Sequence, residues 1–260
     1  MFKILKYSFF DLMRSSWSYF YFLFYLALGF VLLFLNNDVS KAIITLMNII
    51  IVLVPLIGTI FGIMYYYNSR EFTELLLAQP IKRSSIFLGQ YLGVALSLTL
   101  SLLLGLGIPF VAYGLLKSTV IFDFSLLLMN GTFLTLIFTA LSFNLALMHE
   151  NRIKGFGYAI LVWLFLAVIY DGLFLMSLIV FEEYPLDTFS LVATMFNPVD
   201  LSRTLILLKL DISALLGYTG AVFKNFFGTN LGFIISMTAL LLWTILPVWH
   251  LSYLSKRKDF

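Results

Sequence analysis

Six long runs of apolar residues, separated by short polar segments, dominate the hydrophobic pattern of this chain. An α-helix rises about 1.5 Å per residue, so about 20 apolar residues are needed to cross the hydrocarbon core of a bilayer. The runs are longer and more uniform than the alternating strands of a membrane barrel. The pattern therefore predicts an all-α polytopic membrane protein that forms one transmembrane domain over residues 1–260. The predicted spans are residues 16–35, 42–66, 86–116, 124–148, 155–181 and 229–253.

The segment before the first span shows a helical stripe of apolar residues, with its basic residues largely off that stripe. The stripe consists of Phe2, Leu5, Phe9 and Leu12. This pattern is typical of a helix that lies in the membrane interface with its bases near lipid phosphates. We therefore predict an N-terminal interfacial helix over residues 2–16. The alternative is a basic tail that only sets the orientation of the chain.

The segment between spans two and three predicts a short amphipathic helix. Asn68 can cap its start and Glu71, three residues on, completes a capping-box pattern, whereas Pro80 ends it. One face of this helix is formed by Phe72, Leu75, Leu76 and Gln79. Two acids, Glu71 and Glu74, fit poorly against anionic lipid headgroups, which favours a protein partner over the lipid surface.

Short helices are also predicted in the segment of residues 182–228, before the last span. Asn197 as a cap, Pro198 at the first helical position and Asp200 in the first turn form a good helix start. We expect these external helices to dip into the outer leaflet or to lie on it. Irregular backbone at membrane depth must be covered by protein, so they should pack against the spans or a second subunit.

Asp171 is the one acid that lies well inside a predicted span. A carboxylate near the bilayer centre costs at least about 2.5 kcal/mol, which makes it a candidate for a pathway or a cation or proton site. The alternative is a structural acid that is bonded to a neighbour, for which Tyr170 and Asn144 are candidates. If Asp171 were functional, the chain could also be a secondary transporter or channel that works alone. A third possibility is a membrane anchor for a partner protein.

Composition and charge limit the function further. Hydrophobic residues make up 62% of the chain and charged residues 11%, which excludes a soluble enzyme. With both termini in the cytoplasm, eleven of the sixteen basic residues lie on the cytoplasmic side, as the positive-inside rule requires. The chain has no cysteine, no cluster of His or Met at ligand spacing and no phosphate-binding loop. We therefore predict a non-catalytic membrane protein that binds no metal.

Residues 70–93 resemble the signature region of the permeases of ABC-2-type transporters. That region typically has an acid, a pair of leucines, a proline, an arginine and then Gly-Lys. Gln90 departs from this pattern, because a lysine commonly follows the glycine. Within the family, residues 151–157, the surroundings of Asp171 and residues 196–203 are similar to the permeases that serve nitrous oxide reductase maturation.

The resemblance implies that two permease chains pair in a bacterial inner membrane and that each docks a separate cytoplasmic ATPase. That ATPase would bind ATP and Mg, and the permease would bind no cofactor. The implied docking residues are Glu71, Phe72, Glu74, Leu75, Leu76, Gln79 and Arg83. A periplasmic partner would support copper-site assembly, and its implied contacts are Asn197, Pro198, Asp200 and Arg203. The cargo, whether copper or a sulfur species, stays open.

Overall fold

A computed structural model describes residues 1–36, 39–118, 120–181, 183–184, 186–209 and 220–257. Within these ranges all regular elements are helical, which confirms the predicted all-α class. The α-helices are α1 (Phe2–Arg14), α2 (Ser16–Asn36), α3 (Val39–Asn68), α4 (Arg70–Leu77), α5 (Arg83–Ala112), α6 (Ile121–Met148), α7 (Arg152–Leu164), α8 (Tyr170–Val180), α9 (Asp187–Met195), α10 (Pro198–Lys209), α11 (Gly220–Phe227) and α12 (Asn230–Arg257).

Six helical segments of 21 to 30 residues are long and apolar enough to cross a membrane. They are α2, α3, α5, α6, the continuous α7–α8 segment and α12, so the chain is a multi-pass membrane protein. Six crossings place α1, α4, the α6–α7 connection and the end of α12 on one side, which we call the terminal side. The opposite side, called the far side, holds the α2–α3 and α5–α6 connections.

Two spans differ in detail from the sequence prediction. The third was predicted to reach residue 116, but α5 ends at Ala112 and is followed by Gly114, whose φ of 91° reverses the chain. Pro109 lies inside α5 and does not interrupt it. The fifth span contains a π-helical segment, Phe165–Ile169, between α7 and α8. Such a segment shifts the helical hydrogen-bond pattern, and it was not predicted from the hydrophobic pattern.

The core of the bundle lies around α3, α5 and α6. The most apolar window is 61% buried in both α5 and α6, but only 17% in α7–α8 and 22% in α12. Small residues allow these helices to approach closely: a Cβ on Gly58 of α3 would lie 3.3 Å from Thr139 Oγ1 of α6. The α7–α8 segment and α12 therefore present most of their apolar surface outward.

The helix α1 packs along α5, and its buried face differs from the predicted stripe. The buried residues are Ile4, Ser8 and Leu12, whereas Phe2 is 74% exposed. A Cβ on Gly93 of α5 would lie only 2.6 Å from Ser8 Cβ, so the two backbones approach closely there. Of the predicted stripe only Leu12 is buried, because small residues on α5 rather than hydrophobicity select the face of α1.

Candidate functional sites

The predicted helix of the first terminal-side loop is present as α4, but it starts differently from the prediction. Asn68 is the last residue of α3 and Ser69 takes the N-cap position, where no side-chain capping bond forms. The Ser69 hydroxyl donates instead to the carbonyl of Tyr66. The predicted Asn68–Glu71 capping box is therefore wrong, because α3 extends through Asn68 and leaves one residue between the helices.

A buried hydrogen bond joins α4 to α5. The Gln90 amide Nε2 donates to Thr73 Oγ1 at 2.8 Å, and the Thr73 hydroxyl donates to the carbonyl of Ser69 at 2.8 Å. Gln90 is completely buried and Thr73 nearly so. This is the glutamine that replaces the lysine common in the family pattern. Sequence reasoning noted the replacement but did not identify its partner.

Aromatic stacking joins α4 to α1. The rings of Phe72 and Tyr7 stack with their centroids 4.5 Å apart. Phe72 and Leu76 are half-buried against the rest of the chain. The inner face of α4 therefore consists of Phe72, Thr73 and Leu76, and it rests on both α1 and α5.

The outer face of α4 carries the remaining residues that were predicted to dock an ATPase. Leu75 is 68% exposed, and Glu71, Glu74 and Gln79 are exposed as well. Glu74 forms a 3.0 Å ion pair with Arg70, and both side chains are more than half exposed. Arg83 is exposed at the start of α5. The surface thus offers one large apolar side chain surrounded by polar and charged groups.

On the far side, α9 and α10 form a sharply bent pair, with an angle of 114° between them. Asn197 sits at the bend. Its Oδ1 accepts from the backbone N–H of Val199 at 3.0 Å, and its Nδ2 donates to Asp200 Oδ2 at 2.9 Å. The predicted helix start at Asn197 and Pro198 is therefore confirmed. Residues 210–219 of the predicted external segment lie outside the described residues.

The bend is bound to the π-helical segment of the fifth span. The Asn197 amide also donates to the carbonyl of Leu166 at 2.7 Å. One turn further along that span, the Tyr170 hydroxyl donates to the carbonyl of Ala193 at 2.7 Å. Together with the side chains of α10, which pack against α3, α6 and α12, these bonds hold the bent pair inside the bundle.

Asp171 is paired with an arginine of α10. Arg203 Nη1 lies 2.6 Å from Asp171 Oδ2 and 3.6 Å from Asp200 Oδ1, and the side chains of Arg203 and Asp171 are 27% and 32% exposed. The partners expected for Asp171 were wrong. Tyr170 bonds to α9, and Asn144 donates to the carbonyls of Ala140 and Pro247.

The residues that were predicted to contact a periplasmic partner lie in this cluster and are largely buried. Asn197, Pro198 and Asp200 are buried within the chain, and Arg203 is directed to Asp171. Asn197, which starts α10, and Arg203, in its second turn, bind to residues of the fifth span that lie 31 and 32 positions away along the chain. These contacts fix the position of α10 in the bundle, and they leave little of the cluster exposed for contact with another protein.

Comparison with known proteins agrees with this architecture. A family model described as ABC-2 family transporter protein matches residues 4–210. Over 187 residues the chain is 29% identical to the "Probable ABC transporter permease protein NosY" of Stutzerimonas stutzeri. The match covers 67% of this chain and 62% of that protein, less than two thirds of the relative's length. The chain belongs to the ABC-2 family of transporter proteins.

Proposed function

We propose that this chain is the permease subunit of an ABC transporter that docks a separate cytoplasmic ATPase through the outer face of α4. Membership of the ABC-2 family supports the permease role. We further propose that the ATPase partner binds ATP and Mg and that this chain is non-catalytic. Two permease copies would pair in a bacterial inner membrane, with the terminal side in the cytoplasm.

The observation that carries the docking proposal is the division of α4 into a bound and an exposed face. Thr73 is bonded to Gln90 and Phe72 stacks on Tyr7, whereas Leu75 points away from the chain. Glu71 and Glu74 lie on the same exposed face as Leu75, and acids fit poorly against anionic lipid headgroups, which favours a protein contact there. Movement of a bound ATPase would then be passed from α4 to α5 and α1.

We also propose that the transporter serves the maturation of nitrous oxide reductase and engages a periplasmic partner on its far side. The support is the similarity of residues 151–157 and 196–203 to permeases of that branch. Phe181 and Tyr184 are exposed on the far side and are available for such a contact. The ion pair of Asp171 with Arg203 weighs against the alternative of a secondary transporter that works through a free carboxylate.

The docking proposal is tested by a charged substitution on the exposed face of α4. Leu75→Glu should abolish the co-purification of the ATPase with the tagged permease in mild detergent, because a buried unpaired charge opposes the contact. Leu116→Glu is the matched control, since Leu116 is exposed to the same degree (67%) on the far side. Stoichiometric ATPase with the Leu75→Glu permease would contradict docking through this face.

A further inference from the structure

An apolar groove runs along the outward surface between α6, α7 and α12, with the bend of α9 and α10 at one end. Its volume is about 720 Å³. The apolar part of its lining comes from Leu145, Val162, Met195, Leu242, Trp243 and Leu246. The Trp243 indole donates to the carbonyl of Met195 at 3.1 Å, which joins α12 to the bend and closes the inner end.

The groove covers the half of the membrane that adjoins the terminal side. Along α12 it extends over the twelve residues from Ala239 to His250, about 16 Å of helix. That length is close to half of the roughly 30 Å hydrocarbon core, the depth of one leaflet. On α6 the groove reaches Met148, the last residue before the terminal-side connection. Its length and depth therefore match an acyl chain of one leaflet.

The end of the groove at the terminal side is polar. Asn144 Nδ2 donates to two backbone carbonyls, so its Oδ1 accepts from His250 Nδ1 at 3.0 Å. This bond places a hydrogen on Nδ1 of His250 and leaves Nε2 for another partner. His250 is exposed and lines the groove. Because Nε2 of the neutral ring is then an acceptor, the apolar channel ends at a ring nitrogen that can accept a hydrogen bond from a headgroup hydroxyl.

Basic residues stand on the terminal side of the same helices. Arg152 and Lys154 lie in the first turn of α7, and Lys256 and Arg257 lie in the last turn of α12. All four side chains are exposed, and Arg257 also covers the ring of Tyr253 at 4.4 Å. Basic groups at the edge of a groove between transmembrane helices favour anionic headgroups over zwitterionic ones.

We propose that this groove binds one anionic phospholipid from the leaflet of the terminal side. An acyl chain lies against Val162, Leu242 and Leu246, the headgroup hydroxyls lie near His250, and the phosphate is bound by the basic ends of α7 and α12. The three observations that select this ligand are the one-leaflet length, the apolar lining and the basic rim. The inference does not depend on ATPase docking, which uses α4 on another part of the molecule.

Native mass spectrometry of the full-length permease tests this inference. After delipidation, the protein is titrated with dioleoylphosphatidylglycerol or dioleoylphosphatidylcholine. We expect the anionic lipid to bind at least about tenfold more tightly, and Ala239→Phe, which fills the groove, to remove this preference. Ala112→Phe is the matched control at an exposed alanine of α5. Leu246→Trp also fills the groove, but from an exposed position, and it replaces Ala239→Phe in the test if that variant fails to fold.

Two results would overturn the inference. One is unchanged phosphatidylglycerol binding when the folded protein carries Leu246→Trp, which would place the lipid elsewhere. The other is efficient disulfide formation between two copies that carry Leu246→Cys, in a chain that has no cysteine of its own. That result would mean that a second copy covers the groove. Loss of lipid preference in Arg152→Gln/Lys256→Gln, with the groove intact, would support the role of the basic rim.

Discussion

Asp171 shows how one charge is accommodated at membrane depth. An isolated carboxylate near the bilayer centre is costly, and a paired one is much less so. Arg203 supplies the pairing charge to Asp171 and, at a longer distance, to Asp200. The Asn197 amide bonds the second oxygen of Asp200. Hydrogen bonds and ion pairs join the four side chains into one group, so removal of the arginine leaves two acids without a counter-charge.

Arg203→Leu should therefore destabilise the protein by about 2.5 kcal/mol or more, since it leaves the carboxylates uncompensated. Asp171→Asn in the same chain should restore part of that loss by removing one of the charges. Thermal unfolding in detergent, followed by the fluorescence of the four tryptophans, measures both effects. Arg14→Leu is the control at an exposed arginine. Equal unfolding temperatures for Arg203→Leu and the wild type would show that the ion pair is not structural.

The bond between Gln90 and Thr73 gives a second prediction for single residues. Thr73→Val leaves the buried Gln90 amide without a partner and should cost about 1–3 kcal/mol. Gln90 Oε1 already lacks a partner among the described residues, so Gln90→Leu/Thr73→Val should cost less than the sum of the single changes. A double-mutant cycle by thermal unfolding measures the coupling. Additive effects would mean that the two side chains do not interact.

Sequence reasoning located the site residues better than it located their partners. The Asn197–Pro198 helix start was predictable because capping is a local property of adjacent residues. The Arg203–Asp171 pair was not, because the two residues are 32 positions apart and one sequence contains no information on which span faces which. Gln90 was singled out by its departure from the family pattern. Its contact with Thr73 was not predictable, because it depends on how α4 packs against α5.

At the scale of elements, hydrophobic length predicted all six spans, with ends that differ by at most four residues. The reason is that membrane thickness fixes the length of an apolar run. The buried faces were harder to predict, because lipid and protein interior are equally apolar. In α1 the buried face contains Ser8, which fits against Gly93, while Phe2 is exposed. Close packing rather than polarity decides such contacts.

The contact of α1 with α5 predicts opposite effects for two glycines of one helix. A Cβ on Gly93 would lie 2.6 Å from Ser8 Cβ and 2.9 Å from Phe9 N, so Gly93→Ala should displace α1 and cost about 1–3 kcal/mol. Among the described residues, no atom beyond the neighbouring helix backbone lies within 4 Å of a Cβ on Gly107, so Gly107→Ala should be neutral or stabilising, by up to about 1 kcal/mol.

Limited proteolysis distinguishes these two variants. Trypsin should cleave after Lys6 and Arg14 several-fold faster in Gly93→Ala, because α1 no longer rests on α5. The Gly107→Ala chain should be cleaved at the wild-type rate. If both variants were cleaved alike, α1 would not depend on close contact with α5 for its position.

At the scale of the whole molecule, the distribution of charge determines the orientation. The terminal side carries Arg152, Lys154, Lys256 and Arg257 next to the bilayer, in addition to the bases of α1 and α4. Short loops rich in Lys and Arg are retained in the cytoplasm. Orientation in turn decides which surface an ATPase can reach, so the docking proposal requires α4 to be cytoplasmic.

Cysteine labelling of intact spheroplasts tests this orientation directly, since the native chain contains no cysteine. With α4 in the cytoplasm, a membrane-impermeant maleimide should label Leu116→Cys and Tyr184→Cys in spheroplasts. It should label Leu75→Cys and Ile153→Cys only after the membrane is permeabilised. All four positions are exposed, so differences in labelling report the side of the membrane rather than burial. Labelling of Leu75→Cys in intact spheroplasts would place α4 outside and would exclude contact with a cytoplasmic ATPase.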